Sequence, residues 1–205
     1  MARVPGMIFI LVSFIPWIIY WILCGLGLSI GVLISLAVAA ILVIHQARLR
    51  EFNPMDLASL AYFTVASAAT YILDFGLFVE KPGFLGYLTL FIMALISIAA
   101  GKPFTFQASK RDYPEVYWRD RTFFLVNDAI SGVWSMIFLL NSIISITLSN
   151  PYARIGSNTL IAVGIILSIF LPEKLSAYFL TRISESMIGG LRLIRGSRRP
   201  RTSMT

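Results

Sequence analysis

Apolar residues in this chain are gathered into six long runs that are separated by short polar stretches. Most runs have about the 20 residues that an α-helix needs to cross the hydrocarbon core of a bilayer. Tight connections alternate with longer ones, which pairs neighbouring runs into three helical hairpins. The pattern therefore predicts an all-α, polytopic membrane protein with transmembrane helices at residues 7–24, 25–44, 57–78, 84–100, 122–148 and 159–178.

The sixth run has the weakest pattern. Its strongly apolar part is only about 13 residues long, shorter than a full span, before Pro172, Glu173 and Lys174 interrupt it. A proline inside a helix removes a backbone hydrogen bond and favours a kink or an end. Five spans followed by a re-entrant or interfacial segment are therefore the alternative to six.

Basic residues are distributed unequally between the two sides of these runs. Of the 17 Lys and Arg residues, only Lys81 and Arg154 fall in the connections on the second side. Because loops rich in Lys and Arg stay in the cytoplasm, this asymmetry predicts that both termini are cytoplasmic.

The composition excludes an ordinary soluble protein. Hydrophobic residues make up 58% of the chain and charged residues 13%, with a mean hydropathy of +0.82, whereas a typical globular chain is about 25% charged. We expect one helical membrane domain at residues 1–180 and a basic, amphipathic and partly disordered cytoplasmic tail at 181–205.

The net charge of +7 is concentrated next to apolar segments. This arrangement favours anionic lipid head groups over nucleic acid as the partner of the basic residues. The residues predicted to contact head groups are Arg192, Arg195, Arg198, Arg199 and Arg201.

Small residues recur every four positions in the second run, at Gly27, Gly31, Ser35 and Ala39. Such a stripe lets another helix approach closely. It predicts either packing within the chain, which we favour, or an interface with a membrane-protein partner or a second copy.

Polar residues inside the runs are the candidates for an intramembrane site, because exposing them to lipid is costly. Asp128 could belong to a polar vestibule that opens to the cytoplasm, or form a structural ion pair with Lys174. The complete set is Asn127, Asp128, Asn141, Glu173 and Lys174.

Catalytic motifs are missing from the sequence. Cys24 is the only cysteine and His45 the only histidine, so paired metal ligands of these types cannot form. No phosphate-binding loop or nucleophile elbow occurs either. We therefore predict that the protein is not an enzyme and has no metal or cofactor.

Two loops and the helix after them carry a family likeness. The segment 46–58, the segment 101–107 with Lys102 and Pro103, and then Trp118, Asn127 and Trp134 resemble the bacterial intracellular septation protein A group and its uncharacterised relatives. The likeness covers residues 25–145. It implies a multi-pass protein of the prokaryotic inner membrane that serves cell-envelope maintenance or septation, with no established chemistry.

Two hypotheses for function follow. A non-enzymatic scaffold or accessory subunit is favoured, because ionisable residues near the bilayer midplane, which transporters commonly use, are lacking. The alternative is a small transporter or channel whose polar path includes Asn127, Asp128 and Lys174.

Overall fold

The computed structural model describes residues 5–49, 53–147 and 159–181, and every regular element in these ranges is helical. The prediction of an all-α fold is confirmed. Eight α-helices, with a short 3₁₀ helix at Glu115–Tyr117, make up the described chain: α1 Gly6–Gly25, α2 Ile30–Leu49, α3 Pro54–Tyr71, α4 Leu77–Glu80, α5 Pro82–Ala99, α6 Thr105–Asp112, α7 Arg121–Thr147 and α8 Thr159–Thr181.

Five of these helices are long and apolar enough to cross a membrane, namely α1, α2, α5, α7 and α8. Helix α8 was predicted to be the doubtful span, yet it continues as a helix through Pro172 to Thr181. Of the helices predicted to cross the membrane, the one that is not among the five is α3, which has several polar residues along its length.

Three predicted helix boundaries need correction, and the first is the end of the second helix, which was predicted at residue 44 but lies at Leu49. The third apolar run was predicted to stay helical to residue 78, but α3 ends at Tyr71 and α4 begins only at Leu77. Between them Asp74 has a φ of 52°, a left-handed conformation that does not continue a right-handed helix. The second helix starts at Ile30, because the turn before it includes Gly27 with a φ of +78°.

The connection at 101–121, predicted to be a loop, contains helix α6. Its residues Thr105 and Ala108 are buried, while Lys110 and Arg111 occupy its last turn. Basic residues suit a helix C-terminus because they interact with the helix dipole. Helix α6 packs against both α1 and α7.

The core lies between α1, α3, α5 and α7 and is rich in aromatic residues. The Trp17 ring of α1 lies with its centroid 5.0 Å from each of the Tyr62 and Phe63 rings of α3. Trp17, Tyr20 and Phe63 have no exposed surface. Helix α1 is therefore a central helix of the bundle.

Candidate functional site

A long groove runs along one side of the bundle and has a volume of about 2140 Å³. It is lined by α1, α6, α7 and α8, and also by the beginning of α5. Phe14, Ile18, Trp134, Ile165 and Ile169 belong to its lining. Polar residues lie among the lining at both ends, such as Lys81 before α5 and Asp112 at the end of α6.

Helix α8 forms one wall of the groove and is attached to α7 around Trp134. The indole Nε1 of Trp134 donates a hydrogen bond to Ser168 Oγ at 2.8 Å. One turn earlier, Gly164 packs so closely that an added Cβ would lie 2.7 Å from Ile137 Cδ1. Of the 18 most apolar consecutive residues of α8, only 6% are buried within the chain. Most of this helix therefore remains available to lipid or to a partner.

Asn127 lies at a polar junction between α6 and α7. Its Oδ1 accepts hydrogen bonds from Thr105 Oγ1 at 3.2 Å and Ser109 Oγ at 2.6 Å, and its Nδ2 donates to the Phe123 carbonyl at 2.8 Å. The Ser131 hydroxyl lies 2.9 Å from Thr105 Oγ1. The amide of Asn127, although it lines the groove, is therefore used to hold α6 on α7.

A second polar junction joins α1, α2 and the start of α3. Asp56 Oδ2 accepts hydrogen bonds from the Ser13 hydroxyl at 2.9 Å and from the amide of Gln46. Asn53 Nδ2 donates to Ser13 Oγ at 2.9 Å, and Asn53 Oδ1 accepts from the Met55 backbone N–H at 3.2 Å. All four of these polar side chains are buried.

Further along α1 from this junction, more hydrogen bonds join α1 to α3 and to α4. Trp17 Nε1 donates to Ser59 Oγ at 2.7 Å. Tyr20 donates to the Phe78 carbonyl at 2.6 Å, so Tyr62 donates to the Tyr20 oxygen, 2.7 Å away. Polar groups recur here at helical spacing, which explains why α3 is less apolar than its neighbours.

Sequence reasoning missed the junction at Asp56. Asn53, Pro54 and Asp56 have the pattern of a helix start, with Asn53 as cap. The pattern is confirmed, since Asn53 caps α3, but it gives no sign of the contacts with Ser13, 43 residues away, and Gln46. In the sequence, the only sign of this junction is Ser13, a polar residue in the first apolar run.

The remaining polar residues predicted for the intramembrane site do not form one cluster. Asp128 is half-buried and Lys174 is exposed, neither lines the groove, and no ion pair joins them. Glu173 is exposed and lines the groove. Asn141 is fully buried in α7, and neither its Oδ1 nor its Nδ2 has a hydrogen-bond partner.

The small-residue stripe is mostly used inside the chain. A Cβ on Gly31 would lie 2.6 Å from Leu23 Cβ, so this glycine allows close contact between α2 and α1. Ser35 and Ala39 are fully buried. Gly27 lies in the turn between α1 and α2, outside either helix.

Residues of the family-like pattern lie at different depths. Lys102 is exposed and Pro103 is buried. Trp118 is half-buried, donates to the Tyr113 carbonyl at 3.0 Å, and has the Lys110 ammonium 4.9 Å from its ring. The predicted head-group arginines, from Arg192 to Arg201, lie outside the described residues.

Comparisons with known proteins give no match to a family model, to a curated protein or to a solved structure.

Proposed function

We propose that this protein is a non-enzymatic integral membrane scaffold or accessory subunit, and that its groove holds a transmembrane helix of a partner. The observation that carries this proposal is the groove itself, which follows α1, α7 and α8. A second copy of the chain is the alternative source of the helix.

The length of the groove supports a helix as its occupant. Its lining on α1 extends from Gly6 to Gly25, over the whole of a helix that is long and apolar enough to cross a membrane. A second helix of about 20 residues would be about 30 Å long and could therefore lie along the same face.

The chemistry of the lining supports the same occupant. Leu11, Ile18 and Ile22 of α1 line the groove and keep between 46% and 57% of their surface exposed. Helix association in membranes depends on close van der Waals packing and on interhelical hydrogen bonds. An apolar wall of this kind suits a hydrophobic helix or lipid chains better than an ion.

The transport hypothesis receives less support from the geometry. Its proposed path needs Asp128 and Lys174, and neither lines the groove. The amide of Asn127 is already bonded to α6 and to its own helix. A transport role stays a prediction from the sequence.

The proposal also includes topology and location. Helix α3 would be the sixth crossing, with both termini in the cytoplasm of a prokaryotic cell and the basic tail at anionic lipid. The charge asymmetry of the loops supports this orientation. The resemblance to septation protein A supports envelope and division proteins as the first partners to test.

Substitution of a groove residue tests the proposal. We expect Ile18→Trp to fill part of the groove and to abolish co-purification of a stoichiometric partner from native membranes in mild detergent. Ile41→Trp is the matched control, because Ile41 is 65% exposed on α2 and does not line the groove. Equal loss in both variants, or loss in neither, would contradict the groove as the binding surface.

A further inference from the structure

Asp56 is a buried carboxyl group with one oxygen that has no partner. The residue has 1% of its surface exposed, and Oδ1 makes no hydrogen bond, whereas Oδ2 accepts from Ser13 and Gln46. A buried charge that lacks a counter-ion is strongly destabilising, and a buried acceptor without a donor adds to that cost. Within the described residues, the junction therefore lacks a positive species at Asp56.

No basic residue on the described parts of α1, α2 or α3 supplies this charge. Helix α1 has no charged side chain, and Asp56 is the only charged residue of α3. On α2, His45 and Arg48 lie near Gln46 in sequence, but both are exposed. Arg50 and Glu51 of the connection lie outside the described residues.

The groups around the carboxyl are better suited to a proton than to a metal cation. Ser13 and Gln46 direct an O–H and an N–H at Oδ2, and Asn53 directs its Nδ2 at Ser13. A hard cation needs several oxygen ligands, whereas these neighbours present donors. A proton needs only the free Oδ1.

We propose that Asp56 is a proton-binding site, occupied as the neutral carboxylic acid in the folded protein at neutral pH. Protonation of Oδ1 removes the buried charge and leaves the hydrogen bonds to Oδ2 in place. The contact between α1, α2 and α3 thereby depends on pH. This proposal is independent of the groove and of its occupant.

The direction of the pH effect follows from proton binding at Asp56. If the folded protein holds this proton and the unfolded chain releases it at neutral pH, the stabilisation is fully present at low pH. The stabilisation is lost as the pH rises and the folded protein can no longer retain the proton.

Thermal unfolding of the full chain in lipid nanodiscs tests the proposal. Between about pH 5 and pH 8, we expect the Tm of the native protein to fall, and Asp56→Asn to remove most of this fall and to have the higher Tm at the alkaline end. Asp74→Asn is the control, because Asp74 is exposed and asparagine tolerates its positive φ. An Asp56→Asn variant with the native pH slope would overturn the proposal.

Infrared spectroscopy of the native protein, with isotope-labelled aspartate, gives a test that does not depend on the variant folding. The carbonyl band of a protonated carboxylic acid should be present at neutral pH. Its absence would overturn the proposal, as would a Tm that rises with sodium concentration when choline is the comparison cation.

Discussion

The two faces of helix α1 differ in whether their side chains find partners within the chain. Toward α3, Ser13, Trp17 and Tyr20 are buried, and each forms a hydrogen bond to another part of the chain. Toward the groove, Leu11 and Ile18 are apolar and half exposed. The same helix thus has one face that is complete within the chain and one that is not.

This difference indicates where association can occur. A polar group in a membrane must find its partner inside the protein, because lipid offers none. The α3 face of α1 has its partners already, so it holds the fold together. The groove face of α1 is mostly apolar, and its apolar side chains can exchange lipid contacts for contacts with another helix at little cost.

Truncation of adjacent residues on α1 gives the largest expected contrast. Trp17→Ala should destabilise the protein by roughly 3–5 kcal/mol, because Trp17 is fully buried and its loss leaves a cavity beside Phe63. Ile18→Ala should change stability by no more than about 0.5 kcal/mol. Unfolding in a fixed detergent measures both, and equal losses would remove the distinction between the faces.

A substitution on α8 should have an intermediate effect and sharpen the role of the groove wall. Gly164→Leu places a side chain where a Cβ alone meets Ile137 and Trp134, and overpacking of this kind costs about 1–3 kcal/mol. We also expect weaker co-purification of the partner. Gly132→Leu is the matched control, since a Cβ at Gly132 meets nothing within 4 Å. A larger loss in the control would contradict tight attachment of α8 to α7.

Removal of one hydroxyl should have the smallest effect. Tyr62→Phe deletes the donor to Tyr20, and a single hydrogen bond contributes about 0.5–1.5 kcal/mol. Tyr20 keeps its bond to the Phe78 carbonyl, so we expect a loss at the lower end of this range. Tyr71→Phe, at a site that is 47% exposed, should be neutral in the same unfolding assay. Equal losses of stability in the two variants would show that hydrogen bonds to α3 do not distinguish the α3 face of α1 from its groove face.

The long apolar runs were sufficient to predict the helical fold, because helix formation in a membrane depends mainly on length and hydrophobicity. Helix α6 was missed since it is short and polar, and its role depends on contacts with α7. The end of α3 was missed because the residues after Tyr71 remain apolar although Asp74 turns the chain.

The sites were less predictable than the fold. The depth of Asn127 marked it as a residue that needs partners, but Thr105 and Ser109 were assigned to a loop. Asp56 was interpreted only as part of a helix start, because its partner Ser13 is 43 residues away. The groove depends on how α8 packs against α7, and no local pattern determines that arrangement.

Photo-cross-linking in native membranes tests the groove most directly. A benzophenone amino acid in place of Ile18, which lines the groove, is compared with the same amino acid in place of Ile41 on α2. The account predicts a discrete protein adduct at position 18 and only lipid adducts at position 41. Lipid adducts alone at position 18 would contradict a partner helix in the groove.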